Sequence, residues 1–239
     1  SLDVGFCFYE SSLETVKRAI ESVKDHVRNI YAIDGKFEFY ESSDLLSTPD
    51  VRNYLRSIDN VVLVDIPNRK ENEKRQIYLD LCEQNLADWL LILDADEYIT
   101  PETNWDNVYA DLLKNTTEAK APAIFGVTIK PYGDSKKEFG YPRLWRAPYL
   151  IRYLKTHNFW EFKTTGKIYR SSITWPAIKG IFMKGSDELR DKKYLDKSYA
   201  YQLKLMKYEK PFKDVYRQKA ENTKPSNTDP RLPPGFPVM

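Results

Sequence analysis

The stretch Trp89-Leu90-Leu91-Ile92-Leu93-Asp94-Ala95-Asp96-Glu97-Tyr98 decides the fold. An apolar run leads straight into an acidic cluster. A short all-apolar run bounded by polar residues fits a strand buried on both faces, as in a parallel sheet. In an extended segment, residues two apart point to the same side, which would align the Asp94 and Asp96 carboxylates. They would then sit at the carboxyl end of a central strand, where open α/β sheets place their ligands. Two hard oxygen ligands there suit Mg²⁺ or Mn²⁺ carrying a phosphorylated substrate. The same spacing also describes a solvated acidic turn, so the rest of the chain has to decide between them.

Upstream, Val4 to Tyr9 reads as a first strand. Ser11 and Glu14 have capping-box spacing, and Leu13, Val16, Ile20, Val23 and Val27 fall on one helical face. Asn29 to Asp34 is a second strand closing on the Asp34-Gly35 turn. Thr48-Pro49-Asp50 starts a helix with proline in its first position. Val61 to Asp65 is a third strand, and Asn68 to Asn85 a helix with Tyr78, Leu79, Cys82 and Leu86 as its apolar stripe. Residues 4–98 therefore read β-α-β-α-β-α-β, which predicts a parallel sheet with helices on both faces and right-handed crossovers.

Downstream, Thr100-Pro101 opens a helix lined by Trp105, Val108 and Leu112, and Ala123 to Pro131 is strand-like. Residues 132–185 are rich in aromatics, glycine and proline, and predict short, partly antiparallel strands. Asp187 to Tyr208 reads as a helix with Leu195, Tyr199, Leu203 and Met206 inward. The proline-rich tail has the composition of a disordered segment. The expected organisation is one domain over 1–223, with a ligand-binding half at 1–100 and a second half at 101–223, followed by a tail at 224–239.

Across its 239 residues the formal net charge is +2, so nothing marks a nucleic-acid binder. No apolar stretch approaches the length of a membrane span, and no signal peptide is visible. Cys7 and Cys82 lie in apolar contexts and read as small buried residues of a reducing, cytoplasmic compartment. The seventeen tyrosines combine buried area with a polar handle, which suits packing and a polyhydroxyl ligand alike.

Three pieces of the sequence resemble the GT-A-fold glycosyltransferases, in particular the family 2-like group. Phe8-Tyr9-Glu10-Ser11 is similar to that group's opening Y-N-E/R-S segment. Ile33-Asp34-Gly35, followed by Ser47-Thr48-Pro49-Asp50, looks like a variant of its V-D-G-S…S-T-D-G segment. Lys74-Arg75-Gln76 with Ala87-Asp88-Trp89 through Glu97 is similar to its K-R-N…A-x-G-[DE]-W-[IL]-L-x-L-D-A-D-E run, departing slightly at Gln76 and Ala87. The likeness covers roughly the first hundred residues well and the rest loosely. It implies an α/β, Rossmann-like GT-A sheet with an aromatic-rich acceptor-side half.

The resemblance also implies roles. The donor would be a nucleotide-diphosphate sugar, with UDP as the first choice, held by Phe8, Tyr9, Glu10, Asp34, Lys74, Arg75, Asp94 and Ala95. Tyr9 would stack on the base, or else pack in the core. Glu10 would bond a ribose hydroxyl or be solvated. Asp34 would accept from a pyrimidine N–H, or form an Asx turn. Arg75, with Lys74 beside it, would neutralise the diphosphate or contact the base, or else belong to a solvated helix face. Asp94 would bond ribose and Asp96 ligate Mn²⁺ or Mg²⁺, with Glu97 an outer acceptor or a charge before the next helix, and His157 an additional metal ligand or a structural histidine. Inverting transfer to a hydroxyl of a glycan or other acceptor needs a general base, for which Asp187 ranks before Glu161 and Glu188. The alternatives are a sugar-1-phosphate nucleotidyltransferase and a non-catalytic nucleotide-sugar or carbohydrate-binding domain of a larger protein. A glycine-rich phosphate loop, expected after the first strand of the former, is replaced here by Phe8-Tyr9-Glu10-Ser11.

Overall fold

The computed structural model describes residues 1–117, 124–129, 139–156, 159–170, 177–185 and 192–222. Strand β1 (Leu2–Phe8), helix α1 (Leu13–Glu21), β2 (Ile30–Asp34), α2 (Pro49–Arg56), β3 (Val61–Asp65), α3 (Glu71–Gln84) and β4 (Trp89–Asp94) alternate as expected. They are followed by β5 (Glu97–Ile99), α4 (Trp105–Thr117), β6 (Ile124–Ile129) and β7 (Phe139–Arg146). The chain continues through β8 (Ile151–Tyr153), β9 (Phe159–Phe162), β10 (Ile168–Arg170), β11 (Ala177–Gly185) and α5 (Lys192–Asn222).

Among the described residues, eight strands form one sheet in the order β3-β2-β1-β4-β7-β6-β11-β5. The first four are mutually parallel and β11 runs parallel to β6, while β7 is antiparallel to both β4 and β6. This is the mostly parallel, helix-flanked α/β sheet of the Rossmann-like GT-A type. Because β4 pairs with β7, it contains strands from both sides of residue 100. A second sheet, β10-β9-β8, is antiparallel.

Strand alternation sorts the core into two layers. Val4, Phe6 and Phe8 of β1, Ile30 and Ala32 of β2, and Leu91 and Leu93 of β4 face α1, α2 and α4. Cys7, Tyr31, Ile33, Leu90 and Ile92 face α3 and the small sheet. Both faces of these strands are buried, which is why they read as unbroken apolar runs. On the α3 side the Tyr78 ring sits over Gly5. A Cβ there would lie 2.6 Å from the ring, so only glycine lets the helix approach this closely.

Several local expectations need correcting. The first strand begins at Leu2, and Asp3 is buried within it, accepting both Arg28 guanidinium bonds and the Tyr31 hydroxyl. The cap of α1 is Ser12, whose hydroxyl accepts the Thr15 N–H, not Ser11. The acidic cluster leads first into β5, and α4 begins at Trp105 instead of Thr100. The Thr100 N–H and Thr103 hydroxyl are engaged by Phe182 of β11, and the Asn104 side chain accepts the Asn107 N–H at the helix start. In α5 the expected inward stripe is reversed: Tyr199, Leu203 and Met206 are exposed at 68%, 51% and 58%. The buried face carries Tyr201, Leu205 and Glu209, while the Leu195 side chain lies outside the description. Two apolar stripes share this helix. The rings of Phe37, Phe39 and Tyr40 select the second, by contact with Tyr201 and Tyr208.

Candidate functional site

The parallel order reverses between β1 and β4, and the carboxyl end of that pair is where open α/β sheets form their crevice. Asp94 is the last residue of β4. By alternation with Leu90 and Ile92, it falls on the α3 face. Leu90 lies opposite Trp145 in β7, so Arg143, two residues before Trp145, falls on that face too. The consequence is a compact charge network. Asp94 Oδ1 accepts from Arg75 Nη2 at 2.6 Å and Oδ2 from Arg143 Nη2 at 2.5 Å. Arg143 Nη2 also donates to Glu97 Oε1 at 2.6 Å, and Glu97 Oε2 accepts the Asp94 backbone N–H at 3.0 Å. Behind Arg75, Glu71 Oε1 accepts its Nε and Nη2, and Glu71 Oε2 accepts the Tyr201 hydroxyl.

Strand alternation therefore does not extend from Asp94 to Asp96. Ala95 and Asp96 form a turn, and Glu97 is the carboxylate that folds back onto Asp94. Burial alone would raise the Asp94 pKa, but the two guanidiniums outweigh it and hold the carboxyl well below the usual range. Glu97 moves the other way: burial and the Asp94 charge push it up against the pull of Arg143. Arg143 is the functional candidate that sequence reading missed. Its signal was an arginine alternating with Tyr141 and Trp145 on one side of a strand rich in aromatic residues. Its Nε is buried without a hydrogen-bond partner among the described residues.

Lys74, adjacent to Arg75, is fully buried. Its amine donates to the carbonyls of Phe8 (3.3 Å) and Gly35 (2.6 Å), tying together the ends of β1 and β2, and it lies 4.0 Å from the Phe37 ring centre. Desolvation lowers its pKa to about 8, against the opposing pull of nearby thiol and carboxylate groups. A lysine with a depressed folded pKa binds fewer protons than its unfolded counterpart between that value and about 10.4. Wild-type stability is therefore expected to rise with pH across this window. Lys74→Met should lack that rise in urea unfolding followed at successive pH values, and an identical slope in both proteins would refute the assignment.

The remaining expected donor residues divide. Glu10 has a left-handed backbone (φ 50°), an uncommon conformation for a side chain of this size. Its carboxylate accepts the Tyr40 hydroxyl at 3.0 Å and Lys197 of α5 at 2.9 Å. Burial opposes its ionisation, but bonds from Lys197, Ser42 and Tyr40 outweigh this and hold its pKa low. The Tyr9 ring is buried edge-on to Tyr40 at 5.3 Å, and its hydroxyl donates to the Asp44 carbonyl. The Phe8 side chain packs on Phe6 in the opposite layer, so only its carbonyl reaches the strand ends. Asp34 is fully buried, and its carboxylate accepts the Ser47 hydroxyl (2.7 Å), the Ser47 N–H and Arg52 (2.5 Å). Ala95 and Asp96 are half-buried in the turn.

On the acceptor side, Tyr153 and Trp160 turn inward onto Trp145, and the Tyr153 hydroxyl meets that of Tyr78 at 2.9 Å. Gln76, where the sequence departs from the asparagine of the resembled run, accepts the Tyr153 N–H and so anchors the small sheet to α3. Glu161 alternates with Trp160 and points outward, paired to Arg152 at 2.7 Å. The structure therefore does not bring Glu161 to the Asp94 network. His157, Asp187 and Glu188 lie outside the described residues. Gly185, which precedes Ser186-Asp187, is register-paired with Glu97.

Among the described residues, no group of three His, Cys, Asp or Glu side chains could hold a metal by itself. Asp94 is engaged by Arg75 and Arg143, and Asp96, a second hard oxygen donor, lies half-buried in the turn that follows. Mg²⁺-type ions are commonly held by one or two carboxylates completed by substrate phosphates and water, a requirement this donor set fits. Among the described residues, no helix is long and apolar enough to cross a membrane.

Neither a protein family nor a curated protein matches the sequence. Among solved structures, S. aureus TarS aligns over 95% of this chain at 14% identity and TM-score 0.46. This chain spans 44% of that one. S. aureus TarS 1–349 in complex with UDP aligns over 95% of this chain and 75% of its own, at 12% identity and TM-score 0.46. 4-diphosphocytidyl-2C-methyl-D-erythritol synthase aligns over 62% of this chain and 76% of its own, at 14% identity and TM-score 0.38.

Proposed function

We propose that the chain is a glycosyltransferase that uses a nucleotide-diphosphate sugar, with UDP-sugars the first class to test, and a hydroxyl of a glycan or other acceptor. The observation that carries this reading is the Asp94 carboxylate fixed between Arg75 and Arg143 at the carboxyl end of β4, with Asp96 in the turn that follows. Asp94, ionised and oriented, is an acceptor for ribose or sugar hydroxyls. Arg75 and Arg143 fix that carboxylate, and Glu71 and Glu97 in turn hold the two guanidiniums. Asp96 would hold Mn²⁺ or Mg²⁺, with His157 as an additional ligand; such an ion would supply charge stabilisation to a departing diphosphate.

For the base, Asp187 is preferred to Glu161. The chain enters Ser186-Asp187 from Gly185, which lies beside Glu97, whereas Glu161 faces away with Arg152. Attack by the deprotonated acceptor opposite the leaving group would invert the anomeric centre.

Asp96→Asn keeps the shape of the residue and removes a charged ligand. Calorimetry with a UDP-sugar should show Mn²⁺-dependent binding to the wild type and its loss, by ten-fold or more, in the variant, a change of about 1.4 kcal/mol. Metal-dependent binding that survives in Asp96→Asn overturns the ligand assignment. Pyrophosphate release from a nucleoside triphosphate and a sugar 1-phosphate would instead favour a nucleotidyltransferase.

A further inference from the structure

The small sheet has an outer face that the donor crevice does not use. Tyr153 and Trp160 are turned inward, so the register-paired Arg152 and Glu161 face out. The C-terminal half of α5 runs along this side, with Tyr216 packed on Phe159 at 5.9 Å. Between them lies an open groove of about 480 Å³, lined by Arg152, Leu154, Glu161, Ile168, Tyr216 and Lys219. That volume falls within the range of small-ligand pockets. Its chemistry is mixed in a particular way. Leu154 and Ile168 give an apolar floor, Tyr216 offers a ring, and the Arg152–Glu161 pair presents planar polar edges. Glu161 is already committed to Arg152 through two bonds. Lys155, whose ammonium lies over the Phe212 ring, Lys167 and Arg217 flank the groove on the segments that form it, and none of the three bonds a carboxylate among the described residues. A chain that is close to neutral overall thus carries an excess of lysine and arginine on the segments that flank this groove.

We propose that the groove binds an anionic glycan chain, the ring and apolar floor packing on sugar and the cations meeting its carboxylate, sulfate or phosphate groups. As the holding site for an acceptor it rests on the glycosyltransferase reading; as a binding site it does not. The exposed apolar stripe of α5 (Tyr199, Leu203 and Met206) lies on the outward side of the helix, away from this groove, so a lipid surface is not what the groove itself fits.

The test uses the full chain without a donor and three probes: polygalacturonate, neutral dextran and inorganic polyphosphate. Polygalacturonate should bind with an affinity that falls as salt rises, and dextran should bind far more weakly. Lys167→Gln with Lys219→Gln should weaken polygalacturonate about ten-fold without changing the melting temperature. Tyr216→Ala should weaken polygalacturonate but not polyphosphate, with Tyr216→Phe restoring it. The proposal is overturned if polygalacturonate does not bind, if the charge variant binds it like wild type, or if polyphosphate binds equally well and Tyr216→Ala leaves both unchanged. Asp96→Asn should leave polygalacturonate binding intact. Loss of Mn²⁺-dependent donor binding and loss of glycan binding are therefore separate failures.

Discussion

Asp94→Asn is expected to lower folding stability by about 3 kcal/mol, because it takes one of two carboxylates from each of two buried guanidiniums and leaves Arg75 to Glu71 and Arg143 to Glu97. The figure is taken at the low end because the Asp94 side chain remains 28% exposed. Urea unfolding should show a lower midpoint with an unchanged slope. Adding Arg143→Met to Asp94→Asn should recover part of the loss, since the two residues are in direct contact. The pH dependence has a definite sign. A carboxyl held below its unfolded pKa contributes stability that is present above about 3.9 and lost only as pH falls through the lower folded value. Glu97, pushed upward, works against this: its ionisation costs stability near neutrality, and the cost is relieved on acidification. The acid limb attributable to Asp94 should therefore be missing from Asp94→Asn. A change in stability below half a kcal/mol would mean that Glu71 and Glu97 suffice to hold the two arginines without Asp94.

Asp34→Ala is expected to cost about 3 kcal/mol. It removes the acceptor for the Ser47 hydroxyl and N–H and one of the two carboxylates bound by Arg52, leaving Asp65 to hold that guanidinium at 2.7 Å. Paired measurements separate this from a role in ligand binding. If Asp34 orders the 35–48 loop, the melting temperature falls, and nucleotide affinity changes only as the loop loosens. An unchanged melting temperature with donor binding weakened by about 1–3 kcal/mol would instead return Asp34 to direct contact with the ligand.

The N-terminal half was legible because its signals are local. Apolar runs, the proline at the start of α2 and the turn at Asp34-Gly35 each specify their own segment. The position of Asp94 followed from alternation along β4, but its partners did not. Arg143 comes from a strand 49 residues later, through antiparallel pairing that no spacing announces. The turn at Ala95-Asp96 broke the alternation just where the argument depended on it. In α5, periodicity offered two apolar faces, and the choice between them rested on rings in the 35–40 segment, far away in sequence.

The Lys197–Glu10 contact joins residues 187 positions apart, and Lys204 reaches Glu41 across 163. Contacts of such separation form late, because most of the chain must be in place before loop closure is rewarded. The sheet from β1 to β4 can assemble from neighbouring segments as they become available. The loops at its carboxyl edge, with Glu10, Tyr40 and Phe37, receive the last of their packing partners when Lys192–Asn222 docks. Scaffold and binding edge thus belong to different stages of folding, and a chain interrupted before α5 would hold its sheet while leaving that aromatic edge uncovered.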